Sequence, residues 1–223
     1  MDIQQPLIER LHRGDRRGAN ELLDAWASEH GYESLLAEVL DPMLMRIGEE
    51  WRSAETFTLA QAYVAAKVTE DVLGKIAARK IAPSGGQPPK GPVVIGNIEE
   101  DFHSLGRRMV GTFLRADGWI VHDLGNDVPA LVFVDKAQAV GARVIGVSAM
   151  MMTTARNIKR VREEIDRRGL VGRIQLAVGG AVFRACSDLA EEVGGDGTVS
   201  NALGAAGLFD RLWEQSVRKE AGA

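Results

Sequence analysis

An aspartate and a histidine two residues apart are the side chains of this sequence whose types and spacing best suit chemistry. They lie in the stretch Asp101-Phe102-His103-Ser104-Leu105-Gly106, which follows the apolar run Val93-Val94-Ile95. A carboxylate beside an imidazole fixes the tautomer of the ring, which leaves the other ring nitrogen free to bind a metal ion. The stretch therefore predicts a histidine that is oriented by Asp101 and presented to a metal. The competing interpretation is ordinary turn chemistry, since Asp is common in loops.

The residues around this stretch predict the order strand, loop, helix, and the same order repeats to the end of the chain. The strands are expected at residues 93–96, 119–124, 143–148, 174–178 and, weakly, 198–199. The helices are expected at 104–116, from 129 onward, at 154–168, 183–193 and 201–216. This alternation favours an α/β fold with a doubly wound, five-stranded parallel sheet. Right-handed crossovers then bring every strand-to-helix loop to one edge, where open α/β sheets bind ligands.

Two further loops at that edge have unusual compositions. The third strand is followed by Ser148-Ala149-Met150-Met151-Met152-Thr153-Thr154, a hydroxyl group and then a soft apolar run. The fourth strand is followed by Gly179-Gly180, where missing side chains allow a flat ligand to approach the backbone. Together the three loops predict a deep slot with small residues as its walls. The glycine-rich motifs that bind nucleotide phosphates are absent from the sequence.

The N-terminal part of the chain shows helical periodicity instead. Apolar residues recur at helical spacing through residues 5–82, Asp15 can cap the second helix, and Pro42 should kink the third. Four helices with short turns between them predict a small four-helix bundle. Proline and glycine then interrupt every periodicity, so we predict a helical domain at 1–82, a linker at 83–92 and a sheet domain at 93–223.

Composition and charge exclude several classes of partner. The formal net charge is −4, which gives no reason to expect a nucleic-acid partner. Cys186 is the single cysteine, so an internal disulfide cannot form. The chain has no signal-peptide core and no apolar run near the roughly 20 residues that span a bilayer. We therefore expect a soluble, cytoplasmic protein with no membrane partner.

Taken in order, the motifs resemble those of the cobalamin-binding domain of corrinoid proteins and of cobalamin-dependent methyltransferases and mutases. That family carries D-x-H-x-x-G, S-x-L and G-G in a flavodoxin-like (Rossmann-like) sheet, and this chain has Asp101 to Gly106, Ser148-Ala149-Met150 and Gly179-Gly180 at those places. The helical part resembles the family's cap domain, notably around Trp51. Three departures stand out, and none removes a proposed ligand. They are Met150 for leucine, Arg107-Arg108 where many relatives have lysine and a small polar residue, and Gly194-Gly195-Asp196 for Gly-Ala-Asp.

The resemblance implies a role for each matching residue. His103 would ligate cobalt from below, in place of the cofactor's own dimethylbenzimidazole, and would be the metal ligand. Asp101 would accept the other imidazole proton, and Ser148 would extend that relay.

Other matching residues would surround the cofactor. Those implied to line the channel for the displaced nucleotide tail are Gly106, Met150, Thr153, Gly179 and Gly180. Phe102 and Ser104 belong to the same cofactor-binding motif. Trp51 would cover the upper cobalt face, where a methyl group sits, although a tryptophan near a helix end is often simply a core residue.

The function implied by this resemblance is that of a corrinoid carrier. Such a protein holds cobalamin, as methylcobalamin or another corrinoid, and shuttles a methyl group between partner methyltransferases. It would be a non-catalytic subunit without catalytic residues of its own, which a reductive activase could serve and which could form a homo-oligomer. The alternatives are a cobalamin- or light-sensing regulatory module that acts through a separate partner and the small subunit of an adenosylcobalamin mutase. The sequence does not identify the methyl donor or acceptor.

Overall fold

A computed structural model describes residues 3–52, 57–79, 89–186 and 188–221 of the chain. The chain divides into two compact units, Met1–Pro83 and Ser84–Ala223. The predicted linker falls mostly on residues 80–88, which lie outside the described part. The first strand of the second unit begins at Pro92, inside the predicted linker.

The first unit is helical throughout its described residues. Its elements are α1 (Gln4–His12), α2 (Arg16–His30), the short α3 (Tyr32–Ser34), a π-helical segment (Leu35–Leu40), α4 (Asp41–Arg52) and α5 (Leu59–Arg79). Asp15 caps α2 as predicted, since its side chain accepts a hydrogen bond from the Gly18 amide at 2.8 Å. The π-helical segment contains Glu38, four residues before Pro42, where a proline supplies no amide donor and its ring crowds the carbonyl group.

The second unit is built on a parallel sheet. Its strands are β1 (Pro92–Asn97), β2 (Ile120–Asp123), β3 (Val144–Ser148) and β4 (Gln175–Gly179), in the spatial order β2-β1-β3-β4. In the described part of the chain the sheet therefore has four strands, and the prediction of five is wrong. Residues 198–199 are not a strand, and the pairing with β4 near them is an isolated bridge between Gly197 and Ala177. Among the described residues of this segment, the backbone bonds to β4 are confined to Asp196 and Gly197, and the Asp196 side chain also accepts the Leu176 amide at 2.6 Å, so the pairing ends before residue 198.

Helices cover both faces of this sheet. They are α6 (Ser104–Ala116), α7 (Ala130–Val140), α8 (Met152–Ala155), α9 (Lys159–Arg167), α10 (Ala181–Ala185), α11 (Leu189–Glu192) and α12 (Ala205–Ala221). Val94 points into a core around Phe133 of α7, whereas its neighbour Val93 points into a second core around Trp119 and Phe209. Adjacent residues of a strand face opposite sides, so the sheet is doubly wound as predicted.

Two predicted helices differ from those observed. The helix expected at 183–193 is divided into α10 and α11, because Cys186 adopts an extended backbone (φ −132°, ψ 95°). The helix expected at 154–168 consists of α8, a 3₁₀ turn (Arg156–Ile158) and α9. Across the described residues, no helix is both long and apolar enough to cross a membrane.

Candidate functional site

The three loops selected from the sequence lie side by side at the carboxyl edge of the sheet. Asn97 at the end of β1 is in register with Ser148 at the end of β3, which is in register with Gly179 at the end of β4. The loops after β1 and β3 lead to helices on opposite faces of the sheet. The helix after β1, α6, packs in the core that contains Trp119. The segment after β3 packs on the other face, because Ile158, just after α8, belongs to the core that contains Phe133. Such a switch point is where doubly wound sheets open a crevice for a ligand.

Asp101 is completely buried at this edge of the sheet, and both of its carboxylate oxygens accept hydrogen bonds. Its Oδ1 accepts hydrogen bonds from Asn97 Nδ2 at 2.8 Å and from the His103 amide at 2.9 Å. Its Oδ2 accepts hydrogen bonds from the Met150 amide at 2.7 Å and from Thr154 Oγ1 at 3.1 Å. The carboxylate therefore joins the loop after β1 to the loop after β3.

These hydrogen bonds keep Asp101 ionised. Burial is the largest influence and raises the pKa of the carboxyl group, because it penalises the charged form. The donors from Met150, His103, Asn97 and Thr154 together outweigh that effect and lower the pKa below its ordinary value. The site thus holds a buried negative charge behind the imidazole.

His103 occupies the N-cap position of α6, but its ring makes no capping hydrogen bond. Its Nδ1 lies 3.5 Å from Asp101 Oδ1, and the side chain is 50% exposed while that of Asp101 is 0% exposed. The buried carboxylate therefore faces Nδ1, and Nε2 is the ring nitrogen left to meet a ligand. This arrangement is the one expected of a metal-binding histidine with a carboxylate partner.

The structure changes the interpretation of the loop after β3. The hydroxyl group that donates to Asp101 belongs to Thr154, whereas the Ser148 carbonyl oxygen accepts the Ile98 amide at 3.1 Å. A relay through the Ser148 hydroxyl group stays a prediction. Met150 contributes its amide to Asp101 and exposes about half of its side chain, and Thr153 is exposed.

The glycines of the site serve different purposes. A Cβ added at Gly106 or at Gly179 would meet no atom within 4 Å, so open space adjoins both residues. Gly180 has φ +118°, and a Cβ there would lie 1.9 Å from the Ala149 carbonyl oxygen. Gly180 is therefore required for the close approach of two loops, and the open space for a ligand lies at Gly179 instead.

The remaining predicted site residues are placed as follows. Phe102 is 65% exposed beside His103, which is unusual for an aromatic side chain of this size. Ser104 is the first residue of α6, and its amide donates to the Phe102 carbonyl oxygen at 3.0 Å. Trp51 belongs to α4, but its side chain lies outside the described part of the structure, so its covering role stays a prediction.

Two buried residues of the site were not selected from the sequence. Asn97 is fully buried at the end of β1 and donates to Asp101, and the Arg107 side chain is 7% exposed and donates to Asn97 Oδ1 at 2.7 Å. The available signal was a polar residue at the end of an otherwise apolar strand. In β1 that residue is Asn97, after Val93, Val94 and Ile95.

Comparison with known proteins identifies the family. The sequence matches one B12 binding domain family over residues 91–206 and a second B12 binding domain family over residues 3–76. The chain belongs to the B12-binding protein family. Cobalamin is therefore its cofactor.

Individual relatives agree with this assignment. The chain is 38% identical to a dimethylamine corrinoid protein of Methanosarcina barkeri over 140 residues, which make up 62% of this chain and 65% of that protein. The matched part thus spans just under two thirds of that relative's length. The fold is similar to the structure of the Methanosarcina barkeri monomethylamine corrinoid protein, with a TM-score of 0.75, 23% identity and coverage of 93% of this chain and 96% of that one. It is also similar to a chain of the methanol:cobalamin methyltransferase complex of the same organism, with a TM-score of 0.53, 23% identity and coverage of 96% and 83%.

The residues at the sheet edge suit this cofactor. His103 offers one ring nitrogen for cobalt, and the open positions at Gly106 and Gly179 leave room for a large, flat group with an extended tail. The Thr198 hydroxyl group follows the bridge between Gly197 and β4, and it is buried without a hydrogen-bond partner among the described residues. An unpaired buried hydroxyl group is costly, and a polar ligand group would satisfy it.

Proposed function

We propose that this chain is a corrinoid carrier protein that passes a methyl group between partner methyltransferases. The observation that carries the proposal is the half-exposed His103 imidazole, with its Nδ1 beside the buried, ionised Asp101 in a chain of the B12-binding family. When bound, cobalamin supplies a cobalt ion that can accept and release a methyl group.

His103 would bind cobalt through Nε2, in place of dimethylbenzimidazole. Asp101 would hold the ring with Nδ1 directed toward itself, which raises the basicity of Nε2. The carboxylate can do so because its hydrogen bonds to Asn97, Met150 and Thr154 fix its own position. The chain thereby presents its ligand in one orientation before any cofactor binds.

The displaced nucleotide tail would pass along the edge between β3 and β4. Gly179 leaves space there, and the unpaired Thr198 hydroxyl group offers a hydrogen bond. Gly106 in the first turn of α6, Met150 in the loop after β3 and Thr153 in α8 would line the same channel. Trp51 in the helical unit would cover the face that carries the methyl group.

The names of the relatives favour partners that act on methylated amines or methanol. The similar proteins are named as methylamine corrinoid proteins, and one structural neighbour is a methanol:cobalamin methyltransferase complex. We infer that a methyltransferase loads this chain, that a second one unloads it, and that a reductive activase restores its cofactor.

Two measurements test the proposal. Protein loaded with cobalamin should show the visible spectrum of a histidine-ligated corrinoid, and His103→Ala should lose that spectrum and bind the cofactor more weakly. His122→Ala, which removes another histidine of the same unit, should leave both properties unchanged.

The carrier role needs a test of its own. A labelled methyl group should move from a methylated amine or methanol to the loaded protein in the presence of the corresponding methyltransferase, and then to an acceptor enzyme. Loaded protein that takes no label but changes its assembly state in light would replace the carrier proposal with a sensory one.

A further inference from the structure

The side chain of Arg107 is buried one turn into α6, directly behind the loop that presents His103. Its guanidinium group donates from Nε to Asn97 Oδ1 at 2.7 Å, from Nη1 to Asp123 and from Nη2 to Asn126 Oδ1 at 3.1 Å. Arginine is rarely buried unless all its donors find partners, and here the partners come from the ends of β1 and β2. The position of the guanidinium group is therefore fixed by three acceptors at once.

Asn97 links this guanidinium group to the functional site. Its Nδ2 donates to Asp101 Oδ1 at 2.8 Å and to the His103 carbonyl oxygen at 3.2 Å, while its Oδ1 accepts from Arg107. If the amide were rotated by half a turn, two donors would face each other at Arg107 and two acceptors would face each other at Asp101. Arg107 on one side, and Asp101 with the His103 carbonyl oxygen on the other, therefore fix the direction of the Asn97 amide.

We propose that Arg107 and Asn97 are positioning residues for the cobalt ligand: Arg107 orients the Asn97 amide, which in turn fixes both Asp101 and the backbone of His103. Neither side chain needs to touch the cofactor. The inference rests on the proposed role of His103, and it adds that the ligand is held by a buried chain of hydrogen bonds across the ends of two strands. Because Asp123 balances the charge of Arg107, this series of hydrogen bonds can remain buried.

The consequence concerns the balance between imidazole-bound and imidazole-free cobalt. Without Arg107, the Asn97 amide is held only through its Nδ2 group, so the donor to Asp101 is less firmly placed and the imidazole samples more orientations. Loss of an outer hydrogen-bonding partner of a metal ligand lowers metal affinity by roughly 10- to 100-fold. We expect the ratio of bound to free imidazole to fall at least about tenfold in Arg107→Met and in Asn97→Ala.

The experiment compares these two variants, the double variant and a matched control. Arg162→Met is the control. Arg162 also pairs with an aspartate, Asp196, and donates to the Gly194 carbonyl oxygen at 2.7 Å. None of these three residues belongs to the series of hydrogen bonds from Arg107 to His103. Each protein is loaded with cobalamin, and its folding is checked by thermal unfolding. The fraction of histidine-ligated cofactor is then read from the visible spectrum. If Arg107→Met does not fold, Arg107→Gln replaces it, because its single amide NH2 offers two donors for three acceptors.

The expected result is a lower histidine-ligated fraction in both single variants and an unchanged fraction in Arg162→Met. The double variant should lose no more than the more affected single variant, because Arg107 acts through Asn97. Folded single variants with the wild-type spectrum would overturn the inference, and independent, multiplying losses in the double variant would overturn the route through Asn97. If the wild-type protein itself lacked the histidine-ligated spectrum, the proposed function would fail instead.

Discussion

The neighbouring glycines at the end of β4 provide a test in which stability and cofactor binding respond separately. Gly179 and Gly180 are adjacent residues of the same type, but a side chain added at each would meet different surroundings. Alanine at position 179 would point into open space, whereas alanine at position 180 would meet the Ala149 carbonyl oxygen. We therefore expect Gly179→Ala to impair cobalamin binding and Gly180→Ala to impair folding.

The magnitude for Gly180→Ala follows from two costs. The backbone of Gly180 has φ +118° and ψ 171°, a region essentially restricted to glycine, and holding an alanine there costs about 1–3 kcal/mol. A Cβ placed 1.9 Å from the Ala149 oxygen also forces the two loops apart, and overpacking of this kind costs roughly 1–3 kcal/mol. The loss in the free energy of unfolding should thus be about 2–6 kcal/mol, a large fraction of the stability of a typical domain.

For Gly179→Ala the free energy of unfolding should change by less than about 0.5 kcal/mol, because nothing lies within 4 Å of the new methyl group. The same methyl group would occupy space proposed for the nucleotide tail, so cobalamin affinity should fall at least about tenfold, or about 1.4 kcal/mol.

Urea unfolding of the cofactor-free proteins and titration with cobalamin measure the two quantities independently. Wild-type stability in Gly180→Ala would refute the argument from the Ala149 contact. Wild-type affinity in Gly179→Ala would refute the placement of the tail beside β4.

Three further predictions follow from individual contacts. Thr154→Val removes a hydroxyl donor to the buried carboxylate and should reduce the free energy of unfolding by roughly 1.5–3 kcal/mol, whereas Thr153→Val at the exposed neighbouring position should have little effect in the same urea titration. Phe133→Ala empties a fully buried position in the larger core of the sheet unit and should cost about 3–5 kcal/mol, which urea unfolding would also measure. Hydrogen bonds from Arg167 and Arg168 lower the pKa of Glu164 to about 2. The difference in the free energy of unfolding between wild type and Glu164→Gln should therefore be complete near neutral pH and vanish as the pH falls toward 2. A difference that grew in acid would contradict this sign.

Much of the fold could be predicted from local patterns. The helix at 104–116 has the observed bounds of α6, and the helix expected from Pro129 begins one residue later, with Pro129 as its N-cap residue rather than in its first turn. The first four strands were also found near their observed positions. These elements follow from apolar periodicity, which the sequence displays directly.

The errors arise where a side chain takes part in the backbone pattern. In place of the fifth strand there is a single bridge at Gly197, and next to it the Asp196 carboxylate accepts the Leu176 amide at the edge of β4. The periodicity of apolar residues does not reveal such a hydrogen bond, because it depends on the direction of one side chain in the folded protein.

The functional site shows the same division. Asp101 and His103 could be selected because their spacing alone brings them together. Thr154 could not be separated from Thr153, because the choice depends on the start of α8. Asn97 and Arg107 are ten positions apart in sequence and meet only after β1 and α6 have packed, so their contribution became visible only in three dimensions.

The central claim is that a nitrogen of His103 binds the cobalt of cobalamin, and electron paramagnetic resonance of the cobalt(II) form tests it most directly. Protein labelled with [15N]histidine and loaded with unlabelled cobalamin should show a doublet splitting from the axial nitrogen, where unlabelled protein shows a triplet. The labelled His103→Ala variant should lose the doublet. A triplet that persists in the labelled protein would mean that the cofactor's own base remains on cobalt, and it would contradict the account.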